Sequence, residues 1–230
     1  MRFLDGIDMR QRLALFDLDN TLLAGDSDNA WGEFLIVEGL VDDIEHRKIN
    51  TKFYKDYLEG VLDIHAYVAF ALSPILDYTE SERNALHAKY MQNAINPILL
   101  ESAFGLVAKH KAAGDFCSII TATNNFLTKP IAQLFTIDLL LATEAEVIDG
   151  RLTGRIDGTP CFQEGKVRKL EQWLTQSNST LSLKDSVFYT DSINDLPLMQ
   201  RVSEPIAVDP DQKLAAISQK NGWQILSLRE

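Results

Sequence analysis

The side chains best placed to do chemistry are carboxylates that follow short apolar runs. Asp17-Leu18-Asp19-Asn20-Thr21 comes directly after Leu13-Ala14-Leu15-Phe16. In extended chain, residues two apart point to the same side, so Asp17 and Asp19 repel each other unless they share a cation or a proton. A turn rich in Asp and Asn is the competing reading of the same residues. Asp191-Ser192-Ile193-Asn194-Asp195 repeats the arrangement after the apolar run 187–190. Magnesium takes hard oxygen ligands, commonly one or two carboxylates with carbonyls, waters and phosphate oxygens. Asp17 and Asp191 could share one such ion, with Asp195 reaching it through water or bracing the site from behind.

Two further residues fit an anionic substrate. Thr121 follows the run Phe116-Cys117-Ser118-Ile119-Ile120, where a hydroxyl and adjacent backbone N–H groups could take a phosphate oxygen, and Lys166 opens a helix-like segment. Each alone is an everyday feature; their order along the chain is what carries information.

Continuous apolar runs that end in polar residues are the pattern of strands buried on both faces of a parallel sheet. Runs at 13–16, 116–120, 187–190 and 206–208 fit it. Helices are expected between them: from Asn96-Pro97 through Val107 with Gly114 as the stop, then over 128–135, 164–173, 196–202 and 211–220, the last closed by Gly222. Alternation of strand and helix predicts a doubly wound, Rossmann-like α/β core whose ligands bind beyond the carboxyl ends of the strands. Residues 139–154 add an extra strand and a turn at Asp149-Gly150.

Residues 26–95 contain no strand pattern. Trp31, Phe34, Leu35 and Val37 fall near one helical face, as do Phe53, Tyr54, Tyr57 and Leu58, and Thr79-Glu80-Ser81-Glu82 reads as a capping box. The expected division is therefore a core from residues 1–25 and 96–230 with an all-helical insertion over 26–95. Residues 1–10 read as a loose leader, with Met9 an alternative start.

Composition narrows the function classes. A net charge of −11 with 46% hydrophobic and 24% charged residues describes a folded acidic protein without an electrostatic footprint for nucleic acid or anionic lipid. No apolar run approaches the roughly 20 residues that span a bilayer, and no signal-peptide pattern opens the chain, so a cytoplasmic location is expected. Cys117 and Cys161 form no metal-type pair and read as structural. His46, His65, His87 and His110 are scattered and read as surface or packing residues.

Asp17-x-Asp19-x-Thr21, Thr121, Lys166 and Asp191-x-x-x-Asp195, in that order, resemble the four motifs of the haloacid dehalogenase superfamily. The helical insertion after the first motif resembles the cap of the subgroup that contains phosphoserine phosphatase. The resemblance implies a magnesium-dependent phosphomonoester hydrolase acting on a small phosphorylated metabolite. Asp17 would be the nucleophile that becomes phosphorylated, and Asp19 the general acid and then base. Thr121 and Lys166 would hold the phosphoryl group. Mg2+ would be bound by the Asp17 and Asp191 carboxylates and the Asp19 carbonyl, supported by Asp195. On the substrate side would lie Asp26, Asn124 and Asn194, with Asp26 standing where phosphoserine phosphatase has a glutamate that receives an ammonium group. A helix N-cap is the equal alternative for Asp26.

The stretches 22–31, 121–124 and 160–166 are similar to a bacterial branch near phosphoserine phosphatase, some members of which act on histidinol phosphate. Thr121-Ala122-Thr123 departs from the serine and glycines of phosphoserine phosphatase. Rival readings are a phosphotransferase on the same scaffold, a phospho-accepting receiver module and a non-catalytic scaffold. The pairing of Asp17 and Asp19 on one strand and the long insertion disfavour the receiver.

Overall fold

The computed structural model describes residues 11–177 and 179–229, so the leader expected over residues 1–10 lies outside it. Strands β1 (Leu13–Phe16), β2 (Phe116–Asn124), β3 (Leu139–Thr143), β6 (Ser186–Thr190), β7 (Glu204–Val208) and β8 (Gln224–Leu226) form one parallel sheet of order β3-β2-β1-β6-β7-β8. A separate antiparallel hairpin pairs β4 (Ala145–Ile148) with β5 (Arg151–Ile156). Its turn is Asp149-Gly150, both at positive φ (51° and 77°), the backbone that tight hairpin turns require.

Strand alternation divides the core between the two faces of the sheet. Ala14 and Phe16 of β1 join one apolar cluster, with Val107 of α5 (Glu101–Ala112) and Leu127 and Ile131 of α6 (Asn125–Leu134). Leu13 and Leu15 join the other. There they meet Leu170 of α7 (Glu164–Gln176), Leu198 of α8 (Leu196–Met199) and Leu214 of α9 (Gln212–Asn221). This is the doubly wound α/β fold.

Between β1 and β2 the chain is helical: α1 (Ser27–Val37), α2 (Asp43–Glu59), α3 (Ile64–Leu72) and α4 (Glu80–Tyr90), followed by a π-helical turn at Met91–Ile95. Trp31 is the hub of their packing. Its indole meets the rings of Phe34, Tyr90 and Phe126, and its Nε1 donates to the Ala71 carbonyl at 2.9 Å. The capping box at Thr79 is formed in both directions, Glu82 reaching back to the Thr79 N–H at 2.8 Å. Val37 departs from the expected apolar face and is 80% exposed; Leu58 is also exposed.

The helix expected from Asn96-Pro97 is interrupted. Asn96–Ile98 is one 3-10 turn, and α5 starts only at Glu101. The cause is tertiary: Leu99 forms a β-bridge with Leu23 and the Ile98 carbonyl accepts from the Ala24 N–H at 2.8 Å, so the two ends of the insertion are tied together in extended backbone. The strand expected to stop at Ile120 runs on to Asn124, whose side chain caps α6 and starts that helix at Asn125 rather than 128. Residues 139–156 hold three strands rather than the single extra strand the sequence predicts, and β8 extends the sheet beyond the four predicted apolar runs.

Candidate active site

β1 lies at the centre of the sheet, with β2 and β6 on either side. From β1 the chain runs outward through β2 to β3 and then returns to β6 on the other side of β1, so a crevice opens beyond the β1 carboxyl end. The Asp17 N–H donates to the Tyr189 carbonyl at 2.9 Å, which extends the ladder one residue and fixes the nucleus of the site. Thr121 and Asp191 arrive from the two neighbouring strands.

Lys166 enters from the first turn of α7. Gly165 makes this approach possible, because a Cβ there would lie 2.0 Å from the Pro160 carbonyl oxygen. Lys166 Nζ donates to Asp17 Oδ1 and to Asp195 Oδ2, each at 2.7 Å, and all three side chains are buried. Thr190 Oγ1 also donates to Asp195 Oδ2 at 2.7 Å. Burial alone would lower the Lys166 pKa, but the Asp17 and Asp195 carboxylates overcome it and the net direction is upward. Burial pushes Asp17 up to about 7 against the pull of Lys166, with Asp195 and Asp19 adding to the rise.

Thr21 joins the first acidic cluster to the second. Its Oγ1 lies 3.4 Å from both Asp17 Oδ2 and Asp191 Oδ1 and accepts from the Asp191 N–H at 3.0 Å. One hydroxyl proton cannot serve both carboxylates, so two oxygens converge without full compensation. Burial, followed by Asp17 and Asp195, holds Asp191 well above the usual carboxylate range. Among the described residues no three His, Cys, Asp or Glu side chains are gathered as a metal cage. Of the four residues expected around magnesium, Asp195 has its carboxylate committed to Lys166 and Thr190, and Asp19 has its carboxylate turned elsewhere. Asp17 and Asp191 remain as the side-chain donors, a set that magnesium chemistry accommodates.

Asp19 is held at both oxygens. Oδ1 accepts from the Ser27 N–H at 2.6 Å, at the start of α1, and Oδ2 accepts from Thr123 Oγ1 at 2.8 Å. Thr123 Oγ1 also lies 2.9 Å from Asp28 Oδ2. Burial, then the nearby Asp26 charge, raises Asp19 to about 6; burial, then Asp26 and Asp19, raises Asp28 well above the ordinary range.

These groups line a cavity of about 700 Å³, open solvent at its mouth included. Asp17, Thr121 and Lys166 form its floor; Phe53, Tyr57 and Tyr67 from the inserted helices, with Phe162, form walls. Thr121 Oγ1 accepts from the Thr123 N–H at 3.2 Å. Asp26 lines the cavity and also caps α1, accepting from the Asn29 N–H at 2.8 Å.

Asn194 lies at the junction between core and inserted helices: Nδ2 donates to the Tyr57 carbonyl at 2.9 Å and Oδ1 accepts from Gln163 Nε2 at 3.2 Å. The expectation for Asn124 is corrected. Its side chain is 1% exposed, accepts from the Leu127 N–H at 3.2 Å and does not line the cavity, because the helix start needs a cap.

Sequence reading missed Thr123, Asp28, Tyr67 and Gln163. Thr123 carried one available signal, since it lies two residues beyond Thr121 on the same face of an extended strand. The cysteines are buried free thiols, their pKa values pushed up to about 12 by burial. His46, His87 and His110 pack in the interior. No helix among the described residues is long and apolar enough to cross a membrane.

A parallel α/β sheet that gathers Asp17, Lys166, Asp191 and Asp195 at its central carboxyl end, under a helical insertion, defines a phosphoryl-transfer hydrolase. The chain belongs to the haloacid dehalogenase-like hydrolase family, whose pattern it matches over residues 14–200, and it is a phosphomonoester hydrolase. It is 43% identical to a histidinol-phosphatase of Neisseria meningitidis, over 95% of this chain and 100% of that protein. A phosphoserine phosphatase of Mycobacterium tuberculosis is 30% identical over 94% of this chain and 70% of its own length. Among solved structures, a Bordetella pertussis protein of unknown function superposes with a TM-score of 0.87 at 44% identity, covering 95% of this chain and 99% of its own. A substrate-bound phosphoserine phosphatase shares the fold at a TM-score of 0.68 and 20% identity, covering 95% and 93% of the two chains.

Proposed function

We propose that the protein hydrolyses the phosphate monoester of a small amino alcohol, with Asp17 as nucleophile. The observation that carries this reading is the Lys166 ammonium bridging Asp17 and Asp195 at 2.7 Å each, on the floor of a closed-in cavity. Lys166 holds Asp17 oriented and offsets the charge that collects when a phosphoryl group meets a carboxylate. Asp17 attacks phosphorus in line with the departing alcohol oxygen.

Asp19 supplies the proton to that oxygen. With a pKa raised to about 6 it is protonated often enough near neutrality to act as an acid, and ionised often enough to act as the base toward water in the second half of the cycle. Ser27 and Thr123 keep it aimed. Thr121 donates to a phosphoryl oxygen. Mg2+ would be held by the Asp17 and Asp191 carboxylates and the Asp19 carbonyl; when bound it supplies Lewis-acid stabilisation of the phosphoryl oxygens. Asp195 serves as the brace of Lys166.

Residues 26–95 act as a cap over the core, excluding bulk water and large phosphorylated partners. The cap's acidic and aromatic lining supports an amine-bearing alcohol. The Neisseria relative is a histidinol-phosphatase and the Mycobacterium relative a phosphoserine phosphatase, which makes histidinol phosphate and phosphoserine the first substrates to compare. The test is hydrolysis of p-nitrophenyl phosphate with Mg2+ by the wild type and by Asp17→Asn. Loss of turnover in the variant is expected; full retention would overturn the mechanism.

A further inference from the structure

The cavity is strongly one-sided in charge. Asp26 and Asp28 line it alongside Asp19, and Lys166 is the one cationic side chain lining it among the described residues, already engaged by Asp17 and Asp195. A phosphate ester enters at the Lys166 end. The rest of the substrate then lies against carboxylates that have no counter-charge in the wall.

Those carboxylates are not equivalent. Asp26 Oδ1 is occupied by the Asn29 N–H. Asp28 has its Oδ2 at Thr123 and the Tyr67 hydroxyl as a second donor facing the carboxylate, while its Oδ1 is buried with no partner within hydrogen-bond distance. A buried carboxylate oxygen without a donor is costly, and a donor from a ligand is the natural remedy. The walls nearby are aromatic, from Phe53, Tyr57 and Tyr67, and ring faces attract a cation electrostatically.

We infer that Asp28 is a specificity-determining residue that receives the cationic nitrogen of the substrate alcohol, and that the cavity rejects phosphate esters bearing a carboxylate. This deepens the amino-alcohol phosphatase reading and rests on it. An amine-bearing alcohol phosphate pairs its cation with Asp28 and stacks on the aromatic walls. An amino-acid phosphate brings the same amine but forces its own carboxylate beside Asp19, Asp26 and Asp28, where like charges repel and the described lining of this cavity holds no free cationic side chain to compensate.

The experiment compares kcat/KM for histidinol phosphate, phosphoserine and p-nitrophenyl phosphate, in the wild type and in the near-isosteric variant Asp28→Asn. The wild type should favour histidinol phosphate over phosphoserine by about 100-fold or more. Asp28→Asn should cut the ratio of histidinol phosphate to p-nitrophenyl phosphate by about 10-fold or more, chiefly through KM. Equal use of phosphoserine and histidinol phosphate by the wild type overturns the inference without needing any variant. So does an unchanged ratio in Asp28→Asn. A wild type inactive on all three esters instead removes the phosphatase reading beneath it, a result distinguishable from the other two.

Discussion

Thr123 holds Asp19 from across the crevice, its hydroxyl 2.8 Å from Asp19 Oδ2, at a separation of 104 residues in sequence. Together with the Ser27 N–H on the other oxygen, this contact fixes the carboxylate that would protonate the leaving group.

Thr123→Val keeps the shape and removes the hydroxyl. Turnover of an alkyl phosphate should fall about 10-fold or more, whereas p-nitrophenyl phosphate, whose leaving group needs little protonation, should lose much less. Equal losses on the two esters would show that Thr123 does not act through Asp19.

Lys166→Met would leave Asp17 and Asp195 facing each other in a buried space without their shared cation. Breaking such an arrangement typically costs about 3–5 kcal/mol, so chemical denaturation should show a stability loss of that order along with loss of activity. A variant as stable as the wild type would mean that the bridge is not formed in solution.

The raised carboxyl pKa values set the direction of a metal and pH linkage. Folded Asp17, at about 7, sits above its ordinary 3.8. Between those values the metal-free folded state binds more protons than the unfolded chain, so its stability falls as pH rises through that window. Mg2+ needs the ionised carboxylates, so its affinity rises over the same range. The Mg2+-induced increase in Tm should therefore be larger at about pH 8 than at about pH 5.5. Thermal denaturation with and without MgCl2 checks this, and the reverse order would contradict it.

Asn194 ties the inserted helices to the core through the Tyr57 carbonyl and Gln163. Asn194→Ala should loosen closure and raise KM several-fold more than it lowers kcat. Steady-state kinetics on the preferred substrate would expose the opposite pattern if Asn194 acted on the chemical step instead.

The strand ends were legible in the sequence because a strand buried on both faces is continuously apolar, and its first polar residue marks where the crevice begins. That logic located Asp17, Thr121 and Asp191. It could not separate Asn124 from a ligand, because a polar residue after a strand also serves to cap the next helix. The contact of Thr123 with Asp28 joins positions 95 residues apart and leaves no local pattern. Helical periodicity likewise misplaced Val37, 80% exposed, and the Leu23–Leu99 bridge broke the helix expected from Asn96-Pro97. At Leu99 a tertiary contact overrode a local preference.

The central claim is that Asp17 carries the phosphoryl group between two half-reactions. Its most direct test is acid quenching during turnover with Mg2+, followed by peptide mapping by mass spectrometry, using Asp19→Asn to slow the hydrolytic half. A phosphorylated peptide containing Asp17, absent from Asp17→Asn, is the expected result; phosphate release with no adduct on Asp17 at any time point would contradict the account.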